Sequence, residues 1–198
     1  GWASRIEPRF YNYLMRFRTA GYTPLMLMAQ TCALLGFACY AVVLAPLQEE
    51  WRLSNLESGL IASAFFFGYM LAVPLATALT DRIDARKVYL VGGLSASSGL
   101  LGMALLANNF WTALFFMALN GAGLAGTYMP GLKILSDRIQ SGELTRHIAF
   151  YTAFFGIGTG FSYLCSGWIL SALGWHYVFG IISLVIFLFL WMTGGCDD

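Results

Sequence analysis

The sequence predicts an all-α membrane protein with six transmembrane helices. Three observations predict it. The chain is 59% hydrophobic and only 11% charged over 198 residues, a balance outside the range of soluble domains. Residues 59–79 and 88–107 contain no Asp, Glu, Lys or Arg, and each run has about the 20 residues that cross a hydrocarbon core as a helix. Between them lies TDRIDARKV, with Asp81, Arg82, Asp84, Arg86 and Lys87 packed together. A short aqueous turn between two spanning helices accounts for that pattern.

The elements follow in order. Residues 1–23 form a polar tail with Arg5, Arg9, Arg16 and Arg18. It reads either as a solvated cytoplasmic arm or as an interfacial helix, with Phe10, Tyr11, Tyr13, Leu14 and Phe17 on its apolar side. The transmembrane domain spans 24–193, with apolar runs at 24–47, 58–79, 88–107, 110–134, 148–172 and 177–193. Residues 194–198 form a short cytoplasmic end. The connection 48–57 is acidic, Asn108 and Asn109 make a polar turn, 135–147 is polar, and Gly174, Trp175 and His176 make an aromatic turn at the membrane interface.

Basic residues orient the domain. Ten of the eleven Lys and Arg fall in the tail, in the Asp81 turn or near 133–146, and Arg52 falls opposite. The positive-inside rule makes the majority side cytoplasmic, so both termini are expected there. The expected location is the inner (plasma) membrane of a bacterium.

The Asp81 turn carries a resemblance. Leu79, Asp81, Arg82, Ala85, Arg86 and Lys87 match, in order and spacing, the G-x-L-a-D-R-x-G-a-R-[RK] signature of major facilitator superfamily transporters. Thr77 and Asp84 stand where that signature has glycine, and Asp tolerates left-handed backbone. NGAGLAGTYMPG at 120–131, RHIAFYTAFFGIGTG at 146–160, GTGFSYLCSG at 158–167 and LGWHYVF at 173–179 are similar to later segments of the family in the expected order. Met117 occupies the family's helix-four arginine position. Ser162 and Tyr163 occupy the Gly-Pro of helix five. The resemblance implies the N-terminal six-helix half of such a transporter, folded as two inverted three-helix repeats.

It further implies that helices one, two, four and five surround a substrate cavity. Candidate lining residues are Gln30, Phe37 and Tyr40 on helix one, Tyr69 on two, Asn120, Thr127 and Tyr128 on four, and Tyr151, Thr159 and Tyr163 on five. Leu79, Asp81, Arg82, Arg86 and Lys87 form a cytoplasmic gate, in which Asp81 is expected to cap a helix N-terminus and pair with an arginine. Lys133 either snorkels to the interface or attracts an anionic solute. Gly121, Gly123, Gly126, Gly156, Gly158 and Gly160 suit close helix packing.

No nucleotide-binding loop, HExxH or Ser-His-Asp set is present, so no enzyme, cofactor or metal is expected. Cys32, Cys39, Cys165 and Cys196 read as small core residues, and the near-neutral charge argues against nucleic acid. No mid-depth run holds an ionisable group of the kind that relays protons. The expected function is half of an alternating-access transporter for a small solute. The expected partners are lipid and a second half, whether its own copy, a homologous chain or a missing C-terminal half. The alternative is a non-transporting structural or assembly subunit among other membrane subunits.

Overall fold

A computed structural model describes residues 31–138 and 144–194. Six helices are described: α1 (Thr31–Trp51), α2 (Asn55–Thr80), α3 (Ala85–Leu105), α4 (Phe110–Arg138), α5 (Leu144–Leu173) and α6 (Trp175–Gly194). The described part of α1, all of α2 and α3, and α4 through Gly131 are long and apolar enough to cross a membrane. The tail at 1–23, Gln30 and the 195–198 end lie outside the described residues.

Helix limits differ from the hydropathy runs at the first connection. The acidic stretch 48–57 shrinks to residues 52–54, because α1 continues to Trp51 and α2 begins at Asn55. Ser54 and Glu57 explain the early start. Each side chain bonds the other residue's backbone N–H, at 3.2 and 2.8 Å, in a reciprocal capping box. Arg52 takes the left-handed φ of 51° that reverses the chain, and Gln48 Nε2 ties α1 to Asn55 and Ser58 at 3.2 and 3.0 Å.

The other turns are also locally encoded. Asp84 caps α3 by accepting from the Arg86 N–H at 2.9 Å. Its φ of −54° needs no glycine, so the left-handed turn expected there is not used. Asn109 caps α4 by accepting from the Thr112 N–H at 3.0 Å. Gly174 ends α5 at φ +98°, a conformation side chains resist. Trp175, at the first position of α6, is 5% exposed. Its ring stands edge-on to Trp51 at 5.5 Å, and its Nε1 donates to Glu50 Oε2 at 2.6 Å. The C-terminal end of α1 and the N-terminal end of α6 are thereby joined.

Helix α4 is central. It packs along both α2 and α3, and α3 packs along α6. Small residues permit the approach. A Cβ on Gly92 would strike the Gly126 backbone, and one on Gly121 would strike that of Phe65. Helices α3 and α6 are clasped by two buried serines. Ser183 Oγ donates to the Ser97 carbonyl at 2.7 Å, and Ser97 Oγ lies 3.1 Å from the Ser183 carbonyl. That reciprocity is what an inverted repeat predicts, since its two-fold would exchange α3 with α6.

The expected close packing holds for Gly121, Gly123, Gly126 and Gly158. Gly156 and Gly160 differ: among the described residues nothing lies within 4 Å of a Cβ placed on either, and both are exposed.

Candidate functional site

The site is built where α1, α2, α4 and α5 meet. Phe37 of α1 is its centre. Its ring lies 5.5 Å from Phe65, 6.1 Å from Phe66 and 5.5 Å from Phe155, at interplanar angles of 70°, 84° and 64°. Phe155 in turn meets Tyr128 of α4 edge-on at 6.2 Å, and Tyr69 of α2 stands one turn beyond Phe65 on the same helix face. Edge-to-face geometry is the favoured arrangement for such rings. Thr159, one turn beyond Phe155 on α5, donates to the Phe155 carbonyl at 2.8 Å.

Phe37, Tyr69, Tyr128, Phe155 and Thr159 are half-buried, whereas Phe66 is 54% exposed. The strip therefore borders the open side of the bundle. Counting 1.5 Å per residue, Phe37 lies ~21 Å from the Trp51 end of α1, and Tyr69 ~21 Å from the Asn55 end of α2. Both positions are deep within the span.

The candidate residues divide. Phe37, Tyr69, Tyr128 and Thr159 come together in the strip. Tyr40, Asn120 and Thr127 turn inward, at 4%, 2% and 1% exposure. Tyr40 Oη donates to the Ser58 carbonyl at 3.0 Å, and Asn120 Nδ2 to the Gly36 carbonyl at 3.1 Å. Thr127 Oγ1 donates within α4 to the Leu124 carbonyl at 2.9 Å. These three join helices or satisfy backbone, and the expected exposure of Asn120 and Thr127 on an open cavity face is corrected. The physical reason is that α4 is wrapped by neighbours over most of its circumference, so a polar residue there is buried and finds a carbonyl. Tyr163 is exposed on α5. Gln30 and the Tyr151 side chain lie outside the described residues.

Phe66 and Phe155 were not among the sequence candidates. The signal for Phe155 was its one-turn spacing from Thr159, which places both on one helix face. Ser162 was read only as a lost Gly-Pro position, yet its hydroxyl donates to the Leu35 carbonyl and fastens α5 to α1.

At the C-terminal end of α2, Lys133 Nζ donates to the Thr80 carbonyl at 2.6 Å and to Asp81 Oδ1 at 2.9 Å. This corrects the arrangement expected of Asp81. Its carboxylate takes the α4 lysine, and the capping of the next helix belongs to Asp84. Lys133, expected to snorkel or to draw in an anion, also holds one of the last carbonyls of α2, which have no intrahelical partner. Leu79, Arg82 and Lys87 are exposed around this pair, and Arg86 is half-buried. Met117, at the family's arginine position, is 1% exposed within the core.

Comparison with known proteins agrees with this architecture. The family model described as Major Facilitator Superfamily matches residues 26–194. The chain is 29% identical over 144 residues to the niacin transporter NiaP of Acinetobacter baylyi, covering 73% of the chain and 33% of that protein. It is 26% identical over 188 residues to protein spinster homolog 1 of Xenopus tropicalis, covering 90% and 32%. It is 29% identical over 153 residues to the voltage-gated purine nucleotide uniporter SLC17A9 of Homo sapiens, covering 73% and 34%. The chain thus spans about a third of the length of these curated relatives.

Proposed function

The chain belongs to the Major Facilitator Superfamily, and from that premise we propose that it is one half of a secondary transporter moving a small solute by alternating access. One observation carries the reading. Helices α1, α2, α4 and α5 present a shared strip of Phe37, Tyr69, Tyr128, Phe155 and Thr159, while α3 and α6 are clasped to each other through Ser97 and Ser183. A strip drawn from four helices and bordering the open side suits a path completed by a second half. Gly156 and Gly160, exposed on α5 with none of the described residues packed against them, suit the same contact.

The location proposed is the inner membrane of a bacterium, with both chain ends cytoplasmic. The relatives' printed solutes, niacin for one and purine nucleotide for another, fit a small-solute cargo. Asp81 and Lys133 are proposed to steady the inner end during the cycle, without touching solute.

The test uses the natural polypeptide in sealed vesicles, in a cysteine-free background, with a single cysteine at Thr159. An impermeant thiol reagent is applied from each side in turn. Alternating access expects labelling from both sides, with the ratio shifted by conditions that bias the cycle. Labelling from one side alone under every condition argues for a non-transporting subunit.

A further inference from the structure

Resting on the reading of this face as a solute path, we infer that the carried solute presents a flat aromatic ring to the strip of Phe37, Phe66, Tyr69, Tyr128 and Phe155. The arrangement of the rings is the reason. Phe37 stands at 64–84° to three neighbours on two other helices, each at a centroid distance of 5.5–6.1 Å. Phe155 extends the same alternation of edges and faces to Tyr128 at an angle of 90°. A further ring placed against such an array meets a positive edge with its face, or a negative face with its edge. A saturated ring of equal size gains only contact area.

Charge narrows the class. Residues 31–47, 58–79, 110–132 and 148–172 carry no Asp, Glu, Lys or Arg. The part of the solute lying on this strip is therefore uncharged, because a desolvated charge there would meet no opposite charge from this half. The polar side chains of the strip are Tyr69, Tyr128 and Thr159, all uncharged. The strip also differs from the aliphatic exposed positions elsewhere on α2. Leu56, Leu60, Leu71 and Leu75 of α2 are 44–73% exposed and offer a ring no quadrupole partner.

The test is equilibrium binding to the natural polypeptide in lipid nanodiscs, with ring solutes in matched pairs. The pairs are benzamide with cyclohexanecarboxamide, benzyl alcohol with cyclohexylmethanol, and benzoate with cyclohexanecarboxylate. Each pair keeps size and substituent and changes aromaticity. At least one aromatic member should bind fivefold or more tighter than its partner, as expected from one or two good ring contacts. Phe37→Leu and, independently, Phe155→Leu should each bring that ratio near one while the saturated member keeps its affinity. Retained affinity for the saturated member shows that the variant is folded. Equal affinities in every pair, a preference unchanged in both variants, or no binding by any aromatic member overturns the inference. Decanoate serves as a chain-shaped competitor, and its displacing the ring solutes with higher affinity would assign the strip to a lipid-like cargo instead. Binding needs no transport cycle, so failure of alternating access appears only in the two-sided labelling described above.

Discussion

Lys133 joins the later part of α4 to the C-terminal end of α2, its ammonium 2.9 Å from Asp81 Oδ1 and 2.6 Å from the Thr80 carbonyl. The two side chains are 33% and 71% exposed, so solvent screens the ion pair and its direct contribution is about 0–1 kcal/mol. Its value lies in position. Lys133 follows Pro130, which sits inside α4 and lacks an N–H for the helical ladder. The lysine thus anchors the segment beyond the proline to the signature turn.

Breaking this anchor should change conformation more than stability. Lys133→Met and Asp81→Asn are each expected to lower the unfolding free energy by less than about 1 kcal/mol. Both should alter disulfide crosslinking between cysteines introduced at positions 83 and 136. The exchange Asp81→Lys with Lys133→Asp should recover part of the wild-type crosslinking. Unchanged crosslinking in both single variants removes the role assigned to the pair.

The serine clasp should behave as a redundant pair. With Ser97→Ala, Ser183 still donates to the Ser97 carbonyl, and with Ser183→Ala the converse bond remains. Each single variant is expected to cost well under 1 kcal/mol, and the double variant about 1–2 kcal/mol, more than the sum. A double-mutant cycle read by thermal unfolding measures the coupling. Strict additivity counts against reciprocity.

Asn120 should matter to folding and not to binding. It is 2% exposed and donates to the Gly36 carbonyl, so Asn120→Ala is expected to cost about 1–3 kcal/mol through the lost bond and the space left behind. Ring-solute affinity per folded molecule should stay within twofold. A selective loss of affinity with unchanged stability would return Asn120 to the binding face.

Restoring the family's arginine at position 117 should be severe. Met117 is 1% exposed, and an arginine there brings a charge into packed, apolar surroundings at a cost of about 3 kcal/mol or more. Met117→Arg should lose most membrane-folded protein, and Met117→Leu should keep it within about 1.5 kcal/mol. Comparable folded yields, measured by fluorescence-detected size exclusion, contradict the burial argument.

Orientation has its own check. Positions 50 and 84 are both exposed, at opposite ends of the bundle. In a cysteine-free background, Glu50→Cys should react with an impermeant reagent added outside intact cells, and Asp84→Cys should not. The reverse pattern overturns the assignment of both chain ends to the cytoplasm.

Much of this fold is legible in the sequence because the bilayer enforces it. Spans must be long, apolar and separated by polar turns, so the uncharged runs around Asp81 identify α2 and α3 directly. The Ser54–Glu57 capping box was equally readable, as Ser-x-x-Glu before an apolar run, and would have set the start of α2 correctly. The facing of residues was not readable. A helix buried on one side by protein and on the other by lipid is apolar all round, so periodicity does not tell Thr127, turned in, from Tyr128, turned toward the strip. Knowing the neighbours of α4 was necessary, and those arise from packing between segments distant in sequence. The same holds for Lys133, whose partners lie more than fifty residues earlier.

The clasp between Ser97 and Ser183 also limits how this half can move. One residue of axial rotation turns a helix by about 100°, so rolling α6 by a single position would carry Ser183 away from Ser97 and break both bonds at once. The azimuth of α6 on α3 is therefore pinned, and through the close Gly92–Gly126 crossing so is that of α4. The interruptions left in the ladders of the described helices are prolines, Pro46 in α1, Pro74 in α2 and Pro130 in α4. A displacement of α3, α4 and α6 against a neighbour then carries them as one unit, so that a tilt applied at one end of the three reappears at the other.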